Sequence, residues 1–317
     1  MTRFAPSYRR IARSLSLAEL RRHSMEAAFP LEDGRWLEER NAGRRFLDYY
    51  GDEGIALALE RYGLLDALRR RGFDDFTFAL TADDDRHTLA ISALHIEGSG
   101  PHRIVELALR RDWLVSPRMS DAGIPEAEVL TVDWLCLQNP TDRFSLRKLR
   151  FPGQRWPGLG VGERVMELLV RVAKRLSLGA VLTVAEHLHN ALLYAREMPY
   201  LDPAEGGKAL ALADLLLGHH ALTLVQASWA LHWECVRGPS GEALRWHGEA
   251  QVRPISPELR ALFDDAYEAT LREERRAHSF VLDVERFEHL WATRLPSLLQ
   301  PELPGDVVVV GDTQDGP

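Results

Sequence analysis

A glycine-rich loop opening a long amphipathic helix, near the middle of the chain, constrains the fold more than any other feature. Arg155-Trp156-Pro157-Gly158-Leu159-Gly160-Val161-Gly162 runs directly into a helical stretch at 163–176. Glycines let a backbone turn sharply and approach an anion. The first helical turn leaves N–H groups without intrahelical partners, pointing along the positive end of the helix dipole. A loop of this kind is a place to hold phosphate. It does not fit the two commonest phosphate fingerprints. A P-loop needs Gly-Lys-Ser/Thr at the helix start, but Glu163-Arg164 follows Gly162. A dinucleotide fold needs Gly-x-Gly-x-x-Gly directly after a strand. Here the spacing is Gly158-x-Gly160-x-Gly162, and the nearest strand candidate stops well upstream, at Leu137.

What flanks the loop narrows the fold class. Alternating and β-branched runs at 76–80 and 88–94 flank the turn-rich Asp83-Asp84-Asp85-Arg86 and predict a hairpin. A third strand is expected at 104–109, where Val105, Leu107 and Leu109 alternate with Glu106, Ala108 and Arg110, and a fourth at 129–137. The helix at 163–176 comes next, then a short apolar run, Ala180–Val184, and a second helix carrying Asn190-Ala191-Leu192-Leu193-Tyr194. Four successive strands followed by helix, strand and helix are not the regular alternation of a doubly wound sheet. The expected class is α+β: a mixed, mostly antiparallel sheet flanked by helices.

The loop and its surroundings resemble the acetyl-CoA-binding core of the GNAT superfamily of N-acetyltransferases. That family's signature is Gln/Arg-x-x-Gly-x-Gly/Ala at the head of a long helix, and Arg155-Trp156-Pro157-Gly158-Leu159-Gly160 matches it. Asn190, Ala191 and Tyr194 are similar to the Asn, Ala and Tyr on the family's next helix. There are departures. The helix register also suits Gly160-Val161-Gly162, which puts Pro157 at the Gln/Arg position, and Ala191 to Tyr194 is one residue short. The resemblance covers roughly 76–205. It implies a GNAT-like core between a helical N-terminal extension at 1–75 and C-terminal strands and helices at 206–302, with a flexible tail at 303–317.

The resemblance also implies a chemistry. Acyl transfer from a thioester to an amine needs the donor carbonyl polarised, the amine neutral and the leaving thiolate protonated. In the family the acyl arm lies in a gap between the strand before the glycine loop and the strand after it, here 129–137 and Ala180–Val184. Arg155, Gly158, Gly160, Val161, Gly162 and Asn190 are the implied contacts to acetyl-CoA or another acyl-CoA. Tyr194 is the implied general acid, because a phenol with an ordinary pKa near ~10 keeps its proton at neutral pH. Asp133, on the face of the fourth strand that carries Thr131, and Glu106, on the third, are candidate bases for the acceptor amine. The competing reading of each is a core tyrosine and two solvent-facing carboxylates.

A second constellation is Glu186-His187-Leu188-His189-Asn190, joined by His95, His219-His220 and His232. His-x-His can chelate a metal when a third ligand converges, but the sequence fixes none, so no metal ligand is assigned. The competing reading gives each His a solvent-facing or hydrogen-bonding role, and the resemblance would place His187 or His189 near the thioester sulfur as a proton shuttle. Residues 138–157 carry Arg143, Arg147, Lys148, Arg150 and Arg155 against Asp142. That is either a basic loop for extra phosphates or a solvated insertion.

Bulk properties bound the partners. A net charge of −8 argues against nucleic acid as the main partner. The N-terminus departs from that average, with Arg3, Arg9, Arg10, Arg13, Arg21 and Arg22 against Glu19. It is read as a solvated amphipathic helix, with the helical stretch expected at 11–24 and a docking or targeting segment as the alternative. No apolar run approaches the ~18 residues of a membrane span. Two cysteines outside any Cys-x-x-Cys pattern fit a reducing, cytoplasmic setting. Further helices are expected at 45–71, 208–217, 257–279 and 283–299. Strands are expected at 222–236 and 249–255, and a turn at Asp33-Gly34. The leading expectation is an N-acyltransferase taking an acyl-CoA and an unidentified amine, its terminal additions shaping the acceptor site or a homo-oligomer interface. The alternatives are a non-catalytic binding or scaffold module on the same fold, and a metal-dependent enzyme using the histidines.

Overall fold

The computed structural model describes residues 2–23, 45–83, 86–98 and 100–301. The expected turn at Asp33-Gly34, the centre of the Asp83–Arg86 turn and the tail at 303–317 with its 307–310 run lie outside these residues.

The N-terminal helix starts earlier than expected. α1 (Ala5–Ser14) has Pro6 in its first turn and buries Ala5 and Tyr8, leaving Arg9, Arg10 and Arg13 exposed. It stops where Ser16 caps a new helix, α2 (Leu17–Leu20), in a reciprocal Ser16/Glu19 box. The helical spacing over 45–71 resolves into α3 (Asp52–Arg61) and α4 (Leu64–Arg69), separated at Gly63. These helices bury leucines on one stripe against the sheet.

Four long strands follow: β1 (Phe73–Ala82), β2 (His87–His95), β3 (Pro101–Leu114) and, after the short α5 (Pro117–Asp121), β4 (Ala127–Leu137). Each pairs antiparallel with the next. The chain then forms α6 (Gly162–Arg175), β5 (Ala180–Val184) and α7 (Leu188–Tyr194). β5 lies parallel to β4, as a strand–helix–strand crossover requires.

The C-terminal third contains α8 (Pro203–Ala213), which runs into a π-helical turn, Asp214–His219, then α9 (Leu224–His232), β6 (Val236–Arg237), β7 (Ala250–Pro254), α10 (Pro257–Ala261), α11 (Asp265–Ala277), β8 (Val281–Leu282) and α12 (Val284–Arg294), with a final 3-10 turn, Leu295–Leu299. Two expectations are corrected here. The strand predicted at 222–236 is mostly the helix α9, started by a Thr223/Gln226 capping box. The single helix predicted at 257–279 is two helices, because Asp264 accepts from the Tyr267 N–H and begins α11 afresh. β7 pairs antiparallel with β5, so the C-terminal third completes one mixed six-stranded sheet of order β1-β2-β3-β4-β5-β7. β6 and β8 form a separate two-stranded ribbon.

The main core lies between one face of the sheet and α1–α4 and α6. α6 buries Val165, Leu169, Val170 and Ala173 in it. It contains a partly open cavity of about 100 Å³. On the opposite face, Met119 of α5 and Leu259 of α10 cover Val129, Ala180 and Val252. A second large cluster is built by the C-terminal helices around Leu216, Trp229, Trp233 and Phe287.

Candidate functional site

The site begins with a divergence in the sheet. β4 and β5 pair from Val129↔Ala180 to Val132↔Thr183 and then part, while β4 continues to Leu137 beside β3 alone. The departure coincides with a bulge. Ala108 of β3 faces Trp134 and Leu109 faces Val132, so Asp133 is the extra residue on β4. A bulge kinks its strand and raises its twist, which helps two parallel strands separate.

The glycine loop is tied to the edge that this separation leaves. Gln138 donates to the Ile104 carbonyl on the β3 side (3.0 Å). Backbone groups alternate sides along a strand, so the Leu137 carbonyl points away from β3. It accepts from Leu159 N–H at 3.1 Å, and Asn139 N–H donates to Pro157 O at 2.6 Å. Gly158 therefore lies beside Gln138 as a short antiparallel bridge. Buried Leu159 and Val161 anchor the loop in the core, while Gly158, Gly160 and Gly162 are exposed. Gly160 has φ +64°, a left-handed conformation in which a β-carbon is strained. Arg164 and Val165 donate back to Val161 O. The N–H groups of Gly160, Val161, Gly162 and Glu163 have no hydrogen-bond partner among the described residues.

The structure adds a residue the sequence did not single out. Arg71, just past α4, donates to Ala67 O (2.6 Å) and to Gly160 O (3.3 Å). Both partners are neutral carbonyls, and no carboxylate pairs with it among the described residues. Partial burial, then the charges of Arg70 and Arg164, pull its pKa below the ordinary arginine value. Arg164 lies over the Phe4 ring at 4.1 Å and reaches the Tyr8 hydroxyl and Tyr62 O, at 3.4 Å each. The head of α6 thus carries uncompensated positive charge next to unsatisfied N–H groups. In the sequence Arg69-Arg70-Arg71-Gly72 reads as an ordinary helix stop. Only the packing of α4 beside α6 brings Arg71 across to the loop.

The remaining candidates divide into groups. Arg155 is exposed and Asn190 half-buried, and neither side chain has a partner among the described residues. Asp133 accepts from Arg110 Nε at 3.0 Å, and Arg110 also pairs with Asp112. Glu106 accepts from Trp134 Nε1 at 3.2 Å. The bulge puts Asp133 and Trp134 on the sheet face away from Val132 and Leu135, so both carboxylates lie on that face beside β3. Cys136 stands opposite Glu106, and burial, then the Glu106 charge, pushes its thiol up to about 11. Tyr194 packs instead against the main core and against Ala191 and Tyr200. Burial raises its pKa and keeps the phenol protonated. No hydrogen bond joins Tyr194 to Asp133 or Glu106.

Of the histidines, His187, His189 and His232 come together, whereas His95 packs on Phe73 and His219 on His220. His187 and His189 lie nearly parallel with ring centroids 5.5 Å apart, Phe151 stacks on His189 at 4.4 Å, and His232 meets His187 edge-on at 6.3 Å. The loop at 138–157 folds back to make this contact, and the Trp229 indole donates to Arg150 O at 2.6 Å. His189 is buried with Nδ1 unpartnered, and burial, then the His187 charge, pulls its pKa down to about 3. Among the described residues no group of three His, Cys, Asp or Glu is placed to hold a metal ion. No helix among them is long and apolar enough to cross a membrane. Comparison of the chain with family models, with curated proteins and with solved structures gives no match.

Proposed function

We propose that this chain is an acyl-CoA-dependent N-acyltransferase of the GNAT type, moving an acetyl or other acyl group onto an amine acceptor. One observation carries the reading: a loop of unsatisfied N–H groups, beside the unpaired charge of Arg71, is fastened to the edge of β4 where β4 and β5 part. In this reading the N–H groups of Gly160–Glu163 and the Arg71 guanidinium take the donor's pyrophosphate. Arg155 and Asn190 reach the rest of the donor. The acyl arm extends along the β4 edge, where strand N–H groups hold its carbonyl. The amine nitrogen attacks the thioester carbon, the C–S bond breaks, Tyr194 gives its proton to the departing sulfur, and Glu106 or Asp133 takes the proton lost by the amine.

A second reading has its own support. Tyr194 and the two carboxylates do not meet, and Asp133 is already engaged by Arg110. A protein that binds the nucleotide without turning it over would look the same, since fold does not fix function.

Calorimetry with acetyl-CoA and longer acyl-CoAs separates these outcomes. The expected result is saturable binding to the wild type. Gly160→Glu with Gly162→Glu should abolish it, and Arg71→Ala should weaken it about tenfold, the size of one charge-assisted contact. No binding to any acyl-CoA sinks both readings. Binding without thiol release across a panel of amines leaves the binding-module reading. Turnover lost in Tyr194→Phe establishes the transferase.

A further inference from the structure

The cavity in the main core is a candidate site that acyl transfer does not use. It lies between α3, α4 and α6 on one side and β2 and β3 on the other, and is also bordered by Leu15, Leu20 and Phe46. Its walls are apolar: Ile55, Leu59, Leu89, Leu107 and Leu169 represent them. Native interiors pack with few voids larger than a water molecule, so an apolar space of about 100 Å³ is a feature to explain. Its leucine-lined part offers water few of the two to four polar partners that a buried water needs.

Part of the lining is polar. Tyr50, Tyr62, Arg171 and Arg175 also line the cavity. Arg171 is paired with Glu167 on its own helix. Arg175 donates only to the backbone carbonyls of Leu15 and Ala12, so no carboxylate meets its charge among the described residues. It is near enough to Tyr50 and Tyr62 to bias the titration of both phenols, whose pKa values burial raises. Neither phenol hydroxyl has a hydrogen-bond partner among the described residues, though Tyr50 is only 7% exposed and Tyr62 6%. The space is therefore mostly apolar, with two phenols and one cation that meets no carboxylate among the described residues in its lining. A buried anion is tolerated where such partners are present.

We infer that this cavity binds a short-chain aliphatic carboxylate, its hydrocarbon tail between α3 and the sheet and its carboxylate toward Arg175 and the two phenols. An engineered apolar cavity of ~150 Å³ takes the six carbons of benzene, so a space of about 100 Å³ takes a tail of roughly three or four carbons, as in butyrate, with the carboxylate at Arg175. The inference does not depend on the acyl-CoA reading, because the cavity and the glycine loop are lined by different residues.

The test uses the full chain labelled at Leu and Val methyls, titrated separately with sodium butyrate and with 1-butanol. Butyrate should shift lining methyls saturably and bind at least tenfold tighter than the alcohol. Ala58→Leu, which extends a lining side chain of α3 into the space, should abolish binding of both. Should that variant fold poorly, Leu168→Phe fills the same space from α6. Arg175→Gln should remove the preference for the acid while Arg175→Lys retains it. The assignment is overturned by no binding of butyrate, by alcohol binding as tight as the acid, or by binding that survives both filling variants.

Discussion

β4 and α9 look alike in the sequence and differ in the structure. Both are apolar runs with a fully buried centre: Val129 to Val132 in β4, Ala227 to Leu231 in α9. Periodicity cannot separate a strand buried on both faces from a short buried helix, because neither presents a polar side to count. Two local signals do separate them. β4 is rich in β-branched Val and Thr, whereas the α9 run has Ala227 and Ala230 among good helix formers. Thr223-Leu224-Val225-Gln226 is also a capping box, with the Gln226 side chain accepting from the Thr223 N–H at 2.9 Å. Where the hydrophobic pattern is mute, caps and β-branching decide.

The largest effect that would test this contrast lies in β4. Leu130 is fully buried at the centre of the sheet. Leu130→Ala should cost about 2–5 kcal/mol in urea unfolding, the range for a large-to-small change that leaves a cavity. A loss below about 1 kcal/mol would mean that β4 is not the packed centre.

The helical side is probed through its closest crossing. A β-carbon on Gly207 of α8 would come within 2.5 Å of Glu274 Cβ and 2.8 Å of the Leu271 carbonyl on α11. Gly207→Val should therefore destabilise by about 1–3 kcal/mol through overpacking, despite the better helix propensity of valine. A neutral or stabilising outcome would show that α8 and α11 do not touch there.

The histidine stack gives a pH dependence. His189 titrates near 6.5 unfolded but only at about 3 folded. The unfolded chain thus binds the extra proton between these values. Stability is unaffected above pH 6.5, falls as pH drops through that value, and levels off below about 3. The slope approaches roughly 1 kcal/mol per pH unit. His189→Phe should flatten this acid limb in unfolding measured from pH 7 to 4. An unchanged limb would place His189 in water.

The smallest effect addresses the helix start directly. Thr223→Ala removes the cap and should cost about 1 kcal/mol by the same unfolding assay. An exposed Thr at the head of a strand would show no such loss.

The candidate site was legible in unequal parts. The glycine loop and the start of α6 carry their own signal, since glycines clustered before an amphipathic helix mark a sharp turn into its first turn. The order of β1 to β4, α6, β5 and α7 follows from alternation and turn residues. Arg71 was not legible, because its partner lies at Gly160, far along the chain. Nor was the bulge at Asp133, which depends on how β3 and β4 register. The contact of the 138–157 loop with His187 and His189 was equally hidden, as it needs the whole C-terminal cluster in place.

The amino-acid sequence by itself determined the local elements of this protein: where strands alternate, where caps start helices and where a loop can present N–H groups to an anion. These follow from interactions within a few residues. The tertiary structure alone decided that β7 closes the sheet beside β5, that β4 and β5 part after Val132, that Arg71 stands over the glycine loop, and that a cavity survives beneath α3. Those features depend on long-range packing, where the same apolar residues can be buried in several ways and only the assembled layers select one.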